Sequence, residues 1–385
     1  MTITFLSNYI NHHQIPFCNA CYELLGDDFC FIQASPMEQE RIDMGWHTDG
    51  TKLPYVRCMY EEEEKCLSLI EECDVLLAGW SEKEEPVQKR LLEGKPVIRV
   101  SERIYREGQW KAVSPKGLWY KYKEHFRFRN SKAYLLCAGG YVASDFRLIH
   151  CYPNKMFKWG YFPETVTYSN EQWEALKAKE GTVSIVWAGR FIPLKHPELM
   201  IQLAADLKEK KDLWQNGPFD DFCIHMAGSG EMEQELMELA KEKEVEDKLV
   251  FHGFMEPEKV RKLMEKSHIH VFTSNHLEGW GAVVNEAMNS GCAEVADQRA
   301  GAVPYLIQHG VNGMMYEKGS YDKLLEAVNY LIENPTKCRE MGYKAYETIT
   351  GLWNAESAAS ELVRFAKEIL EGEPVPAKEG PLSRA

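Results

Sequence analysis

No stretch of the 385 residues approaches the roughly eighteen consecutive apolar residues that a membrane-spanning helix needs. Met1-Thr-Ile-Thr-Phe-Leu6 lacks the basic start and cleavage site of a signal peptide, so a cytoplasmic protein is expected. Positive charge is outnumbered, 45 Lys and Arg against 59 Asp and Glu: the formal net charge of −14 argues against nucleic acid as a partner, because binders of that polyanion rely on Lys and Arg to release counterions. No Asp-x-Asp occurs, and this is the carboxylate pairing that commonly holds a divalent ion on a diphosphate, so no metal is expected. Eleven cysteines lie scattered through apolar segments without regular spacing, which reads as reduced thiols rather than disulfides. Cys18-Asn-Ala-Cys21 has no second pair to complete a zinc site. His268 and His270 alternate along one apolar run and read as packed or hydrogen-bonded side chains. Neither a Ser-His-Asp nor a Cys-His spacing that suits a covalent nucleophile is present, and no internal repeat stands out.

What is present is the rhythm of α/β proteins. Short apolar runs at 183–188, 222–227, 249–252, 269–273 and 293–297 alternate with helical periods, as expected of a parallel sheet. One helix is expected to open at Pro197, and Met232, Leu236 and Leu239 share one side of another. A looser version of the rhythm places strands near 2–6, 29–33, 75–78, 96–100 and 133–137. Length and a hydrophobic content of 44% suit two domains. The expected division is an N-terminal Rossmann-like domain over 1–168, a crossing near 165–173, and a second Rossmann-like domain over 180–350. A terminal helix follows over 352–370, and the Pro-, Gly- and charge-rich tail 371–385 is expected to be disordered.

The most informative segment is Glu278-Gly-Trp-Gly-Ala-Val-Val-Asn-Glu286, with carboxylates on either side of seven residues and Gly281 at the start of an amphipathic helix. The first N–H groups of a helix lack intrahelical partners and carry the positive end of its dipole, which suits an anionic phosphate. Glu278 and Glu286 would then hold hydroxyls on opposite sides of a diphosphate, although carboxylates on a surface helix more commonly just face water. Company strengthens the phosphate reading. Gly189-Arg190 ends the run Val183-Ser-Ile-Val-Trp-Ala188, Lys195 follows, and Gly228-Ser-Gly230 ends Phe222-Cys-Ile-His-Met-Ala227. Gly228-Ser-Gly230 lacks the third glycine of a dinucleotide fingerprint, having Glu233 in its place, which disfavours a nicotinamide-dependent dehydrogenase.

With these pieces in order, together with Phe251-His-Gly-Phe254, Thr273-Ser274 and Gly310-Val-Asn-Gly313, residues 182–316 resemble the donor-binding half of glycosyltransferase family 4. These are retaining enzymes of the GT-B architecture, in which two Rossmann-like domains face across a cleft. The resemblance implies that Arg190 and Lys195 neutralise a departing diphosphate and that Glu278 contacts the donor sugar. It also implies that Glu286 grips the ribose hydroxyls, and that Gly281, Ala282 and Val283 offer backbone N–H groups. Gly189, Gly228, Gly230 and Phe254 complete the donor side. The substrate implied is a nucleoside-diphosphate sugar, with no cofactor and no metal, and the acceptor a saccharide or a lipid-linked saccharide in cell-surface polysaccharide or glycan biosynthesis.

The acceptor side is harder to read. Family members often have a Gly-rich turn after the first strand, whereas this chain has Asn8-Tyr-Ile-Asn-His-His-Gln14. His12, His13, Glu102 and Arg103 are the candidates there, with a structural histidine as the competing reading. Tyr305 stands where the family often has a glutamate. From Lys95 to Lys132 there are eleven Lys or Arg against three Glu, interleaved with aromatics in Trp119-Tyr-Lys-Tyr-Lys123 and Phe126-Arg-Phe-Arg129. That stretch suits an anionic acceptor or peripheral contact with the inner face of a membrane, or else solvated cations covering apolar area. A sugar-nucleotide epimerase on the same fold and a catalytically inactive sugar-nucleotide-binding protein are the alternative functions.

Overall fold

The computed structural model describes residues 1–38, 50–178, 180–210 and 218–385. It divides into two units, Met1–Glu164 with Trp353–Ala385, and Thr165–Leu352.

In the first unit seven parallel strands, β1 (Ile3–Ser7), β2 (Phe29–Gln33), β3 (Val56–Cys58), β4 (Val75–Ala78), β5 (Val97–Ser101), β6 (Ala133–Ala138) and β7 (Met156–Trp159), lie in the order β3-β2-β1-β4-β5-β6-β7. Strands β1, β4 and β6 are buried at every position, as strands covered on both faces must be, which is why β4 and β6 read as unbroken apolar runs. Helix α1 (Ile15–Leu25) has Pro16 in its first turn and buries Phe17, Cys18, Ala20 and Cys21. Helix α2 (Pro115–Glu124), capped by Ser114, has no fully buried residue.

The second unit has six parallel strands, β8 (Gly181–Ala188), β9 (Phe219–Ala227), β10 (Leu249–Gly253), β11 (Ile269–Phe272), β12 (Ala293–Asp297) and β13 (Gly313–Tyr316), in the order β10-β9-β8-β11-β12-β13. Helices α3 (Glu198–Lys210), α4 (Pro257–Lys266), α5 (Ala282–Asn289) and α6 (Pro335–Gly351) belong to it. Its core joins Ile185 and Trp187 on β8, Ile224 and Met226 on β9, and Val271 and Val295 to helix residues such as Leu203 and Leu331. The strand order reverses direction between β8 and β11, and ligands of open α/β sheets bind outside the strand carboxyl ends at such a switch point.

Helix α7 (Ala355–Glu371) belongs to the first unit, is capped by Asn354, whose Oδ1 accepts from the Ser357 N–H at 2.8 Å, and packs on α1. The expectation of a disordered tail is overturned. Lys158 N–H donates to the Ser383 carbonyl at 2.8 Å and Leu382 N–H to the Lys158 carbonyl at 2.8 Å, with Leu382 fully buried. The reason is β7: as the edge strand it offers unpaired backbone groups, and one buried leucine anchors a segment whose composition otherwise suggests disorder.

Candidate active site

Two loops meet at the switch point of the second unit. After β8 the chain turns through Pro193–Lys195 and reverses at His196, whose φ of 50° is left-handed. After β11 the Asn275 carboxamide accepts from the Leu277 N–H at 2.9 Å, and the Glu278 N–H donates to the Asn275 carbonyl at 3.1 Å. The loops are stitched together: the Trp187 indole N–H donates to Thr273 Oγ1 at 2.8 Å, Thr273 Oγ1 donates to the Lys195 carbonyl, and Asn275 N–H donates to the Leu194 carbonyl at 3.0 Å. The result is an ion pair between Lys195 and Glu278, each side chain only 16% exposed. Lys195 Nζ also lies 5.8 Å from the centre of the Phe272 ring. Asn275 is missing from the sequence-based set, yet a short Asx side chain following Thr273-Ser274 was the available signal for this turn.

Beside these loops lies an interlock of glycine turns. Gly189 N–H donates to the Ala227 carbonyl at 3.0 Å, Gly228 N–H to the Gly253 carbonyl at 2.9 Å, and Phe191 N–H to the Ser229 carbonyl at 2.9 Å. A Cβ on Gly228 would stand 1.8 Å from the Gly189 carbonyl oxygen, and one on Gly230 would stand 2.5 Å from that of Phe191. Both glycines are therefore required for loop packing, whatever they also do for a phosphate. Arg190 projects from this interlock and is exposed, as is Phe254.

Helix α5 opens at Gly281, whose φ is 96°, with no side chain capping its first N–H groups. A Cβ there would meet Phe272 Cζ at 2.6 Å, so only glycine brings the helix start this close to the end of β11. Ala282 and Val283 follow, half-buried, with their N–H groups in the first turn. Glu286, one turn on, is half-buried, and burial raises its carboxyl above the usual range while Arg261 and His270 pull the other way. Beneath it the fully buried pair His270 and Glu294 face each other in register on β11 and β12, Nδ1 lying 2.7 Å from Oε1. His268 is structural as expected, accepting from the Ser184 N–H at 3.0 Å through Nδ1 and reaching the Ala178 carbonyl at 2.8 Å through Nε2.

In the first unit three of the four acceptor-side candidates come together and the fourth does not. The His12 and His13 rings lie 3.8 Å apart, and His13 stacks on Tyr161 at 6.2 Å. Tyr161 Oη donates to the Glu102 carboxylate at 2.5 Å. Burial, with His12 alongside, pushes the His13 ring down to about 3, so it is neutral at physiological pH. Arg103 instead forks onto Asp145, at 3.0 and 3.2 Å, and Asp145 is fully buried and also accepts from the Tyr105 N–H at 3.1 Å. A buried carboxylate needs a partner, and Arg103 is that partner for Asp145. Tyr161 and Asp145 are absent from the sequence-based set, since a tyrosine and an aspartate with no local pattern give no signal.

Residues 169–348 match the family model described as glycosyl transferases group 1. Over 127 residues the chain is 32% identical to an uncharacterized glycosyltransferase of Haemophilus influenzae, covering 33% of this chain and 35% of the relative. It is 26% identical over 150 residues to N-acetyl-alpha-D-glucosaminyl L-malate synthase of Bacillus anthracis, covering 39% and 38%. Over 169 residues it is 27% identical to poly(ribitol-phosphate) alpha-N-acetylglucosaminyltransferase of Staphylococcus aureus, covering 44% and 32%. The chain thus spans less than half the length of each of these relatives. Among solved structures, Anabaena HepE in complex with UDP superposes with a TM-score of 0.69 at 15% identity, covering 96% of this chain and 100% of that one. A glycosyltransferase from Rickettsia africae gives 0.65 at 14%, covering 97% and 99%. Residues 169–348 therefore carry the sequence pattern of the glycosyl transferases group 1 family, and the two parallel-sheet units have the GT-B fold of solved glycosyltransferases.

Proposed function

We propose that this chain is a retaining glycosyltransferase of family 4 that moves a sugar from a nucleoside-diphosphate sugar to a saccharide or lipid-linked acceptor, without a metal ion, in the cytoplasm. The observation that carries the reading is the Lys195–Glu278 pair set at the switch point beside the uncapped start of α5. As the bond from the anomeric carbon to the diphosphate oxygen breaks, positive charge grows on the sugar and negative charge on the leaving group. Arg190, Lys195 and the first N–H groups of α5 are the groups suited to that negative charge. Fixed donors of this kind reorganise little, and removing one typically raises the barrier by about 3–4 kcal/mol. In this reading Glu286 accepts hydrogen bonds from the ribose hydroxyls, which requires its carboxylate to ionise despite its raised pKa. With no separate base in the scheme, the acceptor attacks the face that the diphosphate vacates and passes its proton to the diphosphate oxygen.

The test is a thermal-shift screen against sugar nucleotides followed by turnover, read as release of nucleoside diphosphate, for wild type and for Arg190→Ala and Glu286→Ala. Turnover should fall by at least about a hundredfold in each variant. Unchanged turnover in either, or conversion of the donor into a new sugar nucleotide without acceptor, contradicts the proposal. So does binding with no turnover of any donor in the presence of acceptor mixtures.

A further inference from the structure

Helix α2 is amphipathic in the wrong direction for a helix serving its own core. At 3.6 residues per turn, Pro115, Leu118, Trp119 and Tyr122 share one face, while Gly117, Lys121 and Glu124 share the opposite one. Gly117, Lys121 and Glu124 are half-buried, and Lys121 and Glu124 lie 3.7 Å apart. The apolar face points outward, with Leu118 42%, Trp119 58% and Tyr122 54% exposed. The turn before it, Gln109–Val113, adds Trp110 at 69% and Val113 at 77%. Scattered exposed hydrophobes are ordinary, but a whole helix face of them together with two more side chains from the preceding turn marks an interaction surface.

Charge identifies the partner. Between 109 and 132 stand seven Lys or Arg against one Glu, in a chain whose overall charge is −14. Lys116 and Lys123 flank the apolar face and are exposed. Lys123 Nζ lies 5.6 Å from the Trp119 ring centre, and Arg129 Cζ lies 4.6 Å from that of Phe126. An apolar stripe with Trp and Tyr, bordered by cations, is what a helix lying in the plane of a bilayer presents: the stripe enters the acyl boundary and the cations meet anionic headgroups. Among the described residues no helix is long and apolar enough to cross a membrane, so contact through this helix is contact with the surface.

We propose that α2 and the turn before it dock this protein on an anionic lipid surface. The aliphatic share of the stripe, Pro115 and Leu118, favours lipid over single-stranded nucleic acid, which calls for stacking rings along a cationic track. The docking does not depend on the reaction proposed above.

The test is co-sedimentation of the full chain with phosphatidylcholine vesicles, with and without phosphatidylglycerol. Binding is expected only to the anionic vesicles and should fall steeply with added salt, a readout that needs no variant. Lys116→Gln with Lys123→Gln should weaken partitioning about 30-fold at low ionic strength, and Trp119→Ala with Tyr122→Ser should abolish it. All four side chains are solvent-facing, so circular dichroism should show an unchanged fold. Three outcomes overturn the proposal. The wild type could fail to bind anionic vesicles, or the variants could bind as well as wild type. The wild type could instead retain an RNA oligonucleotide or self-associate through this helix while leaving vesicles unbound.

Discussion

Gly228 has a backbone that tolerates no side chain. Its φ is 148°, and an added Cβ would sit 1.8 Å from the Gly189 carbonyl oxygen, which is backbone and cannot rotate away. Gly228→Ala should therefore cost roughly 2–6 kcal/mol, the sum of local strain and overpacking. Gly310 offers the control: its φ is 79°, but a Cβ added there would meet nothing within 4 Å. Alanine at that position should cost only about 1–2 kcal/mol. Urea denaturation of the two variants measures the difference, and equal losses would show that the clash at Gly228 relaxes. At His13 the sign is set by burial. The ring is ordinarily protonated below 6.5 but in the fold only below about 3, so the unfolded chain takes up the proton first as pH falls. The stability this contributes is complete above 6.5 and is lost as pH drops toward 3. His13→Gln should therefore show a shallower loss of unfolding free energy than wild type between about pH 6.5 and 4, by up to about 1.4 kcal/mol per unit. Parallel pH profiles of the two proteins would mean that the fold does not hold His13 neutral.

Two elements meet at the Lys195–Glu278 contact, and their meeting has a consequence for binding. Each side chain is 16% exposed, so the pair is partly desolvated, and under the proposed function a diphosphate competes with Glu278 for the ammonium. Glu278→Gln should release Lys195: nucleoside diphosphate should bind several-fold tighter while turnover of the sugar donor falls. Calorimetry with the diphosphate alone, set beside turnover, separates these effects, and weaker diphosphate binding would mean that Glu278 positions Lys195 instead of competing for it. Much of this element is legible in the sequence. Glycine before an apolar helical period places the start of α5 within a residue, and β2, β4 and β12 are read to their ends, because buried strands bounded by turns have a clear outline. Strands β3, β7 and β13 escape such a reading. Val56–Cys58 spans three residues, and the other two carry Lys158 or begin on Gly313, so no apolar run betrays them. The partners of the site are hidden for a different reason. That Arg103 would fork onto Asp145, 42 positions away, and that His270 would face Glu294 across a strand pair depend on register and tertiary approach, which no local pattern encodes.

On the scale of the whole molecule, the two units differ in how the chain builds them. The second is one continuous stretch, Thr165–Leu352, and its core of Ile185, Ile224, Val271, Val295 and Leu331 is supplied from within that stretch. The first is assembled from two distant pieces, Met1–Glu164 and Trp353–Ala385. There Phe365 on α7 packs edge-on against Tyr134 at 5.6 Å and Phe157 at 4.7 Å, α7 lies against α1, and the tail pairs with the edge strand β7. Contacts that bring a domain its own last helix cannot be replaced by solvent without exposing the apolar face they cover. A fragment spanning 165–352 should therefore unfold cooperatively and, under the proposed function, should be stabilised by nucleoside diphosphate as much as the full chain. A fragment spanning 1–164 should be unfolded or aggregated, and should fold when 353–385 is supplied as a separate peptide. Circular dichroism melts of the three samples decide it. A 1–164 fragment that melts as sharply alone as with the peptide would mean that the interior of the first unit is complete without α7, and that the C-terminal segment merely rests on its surface.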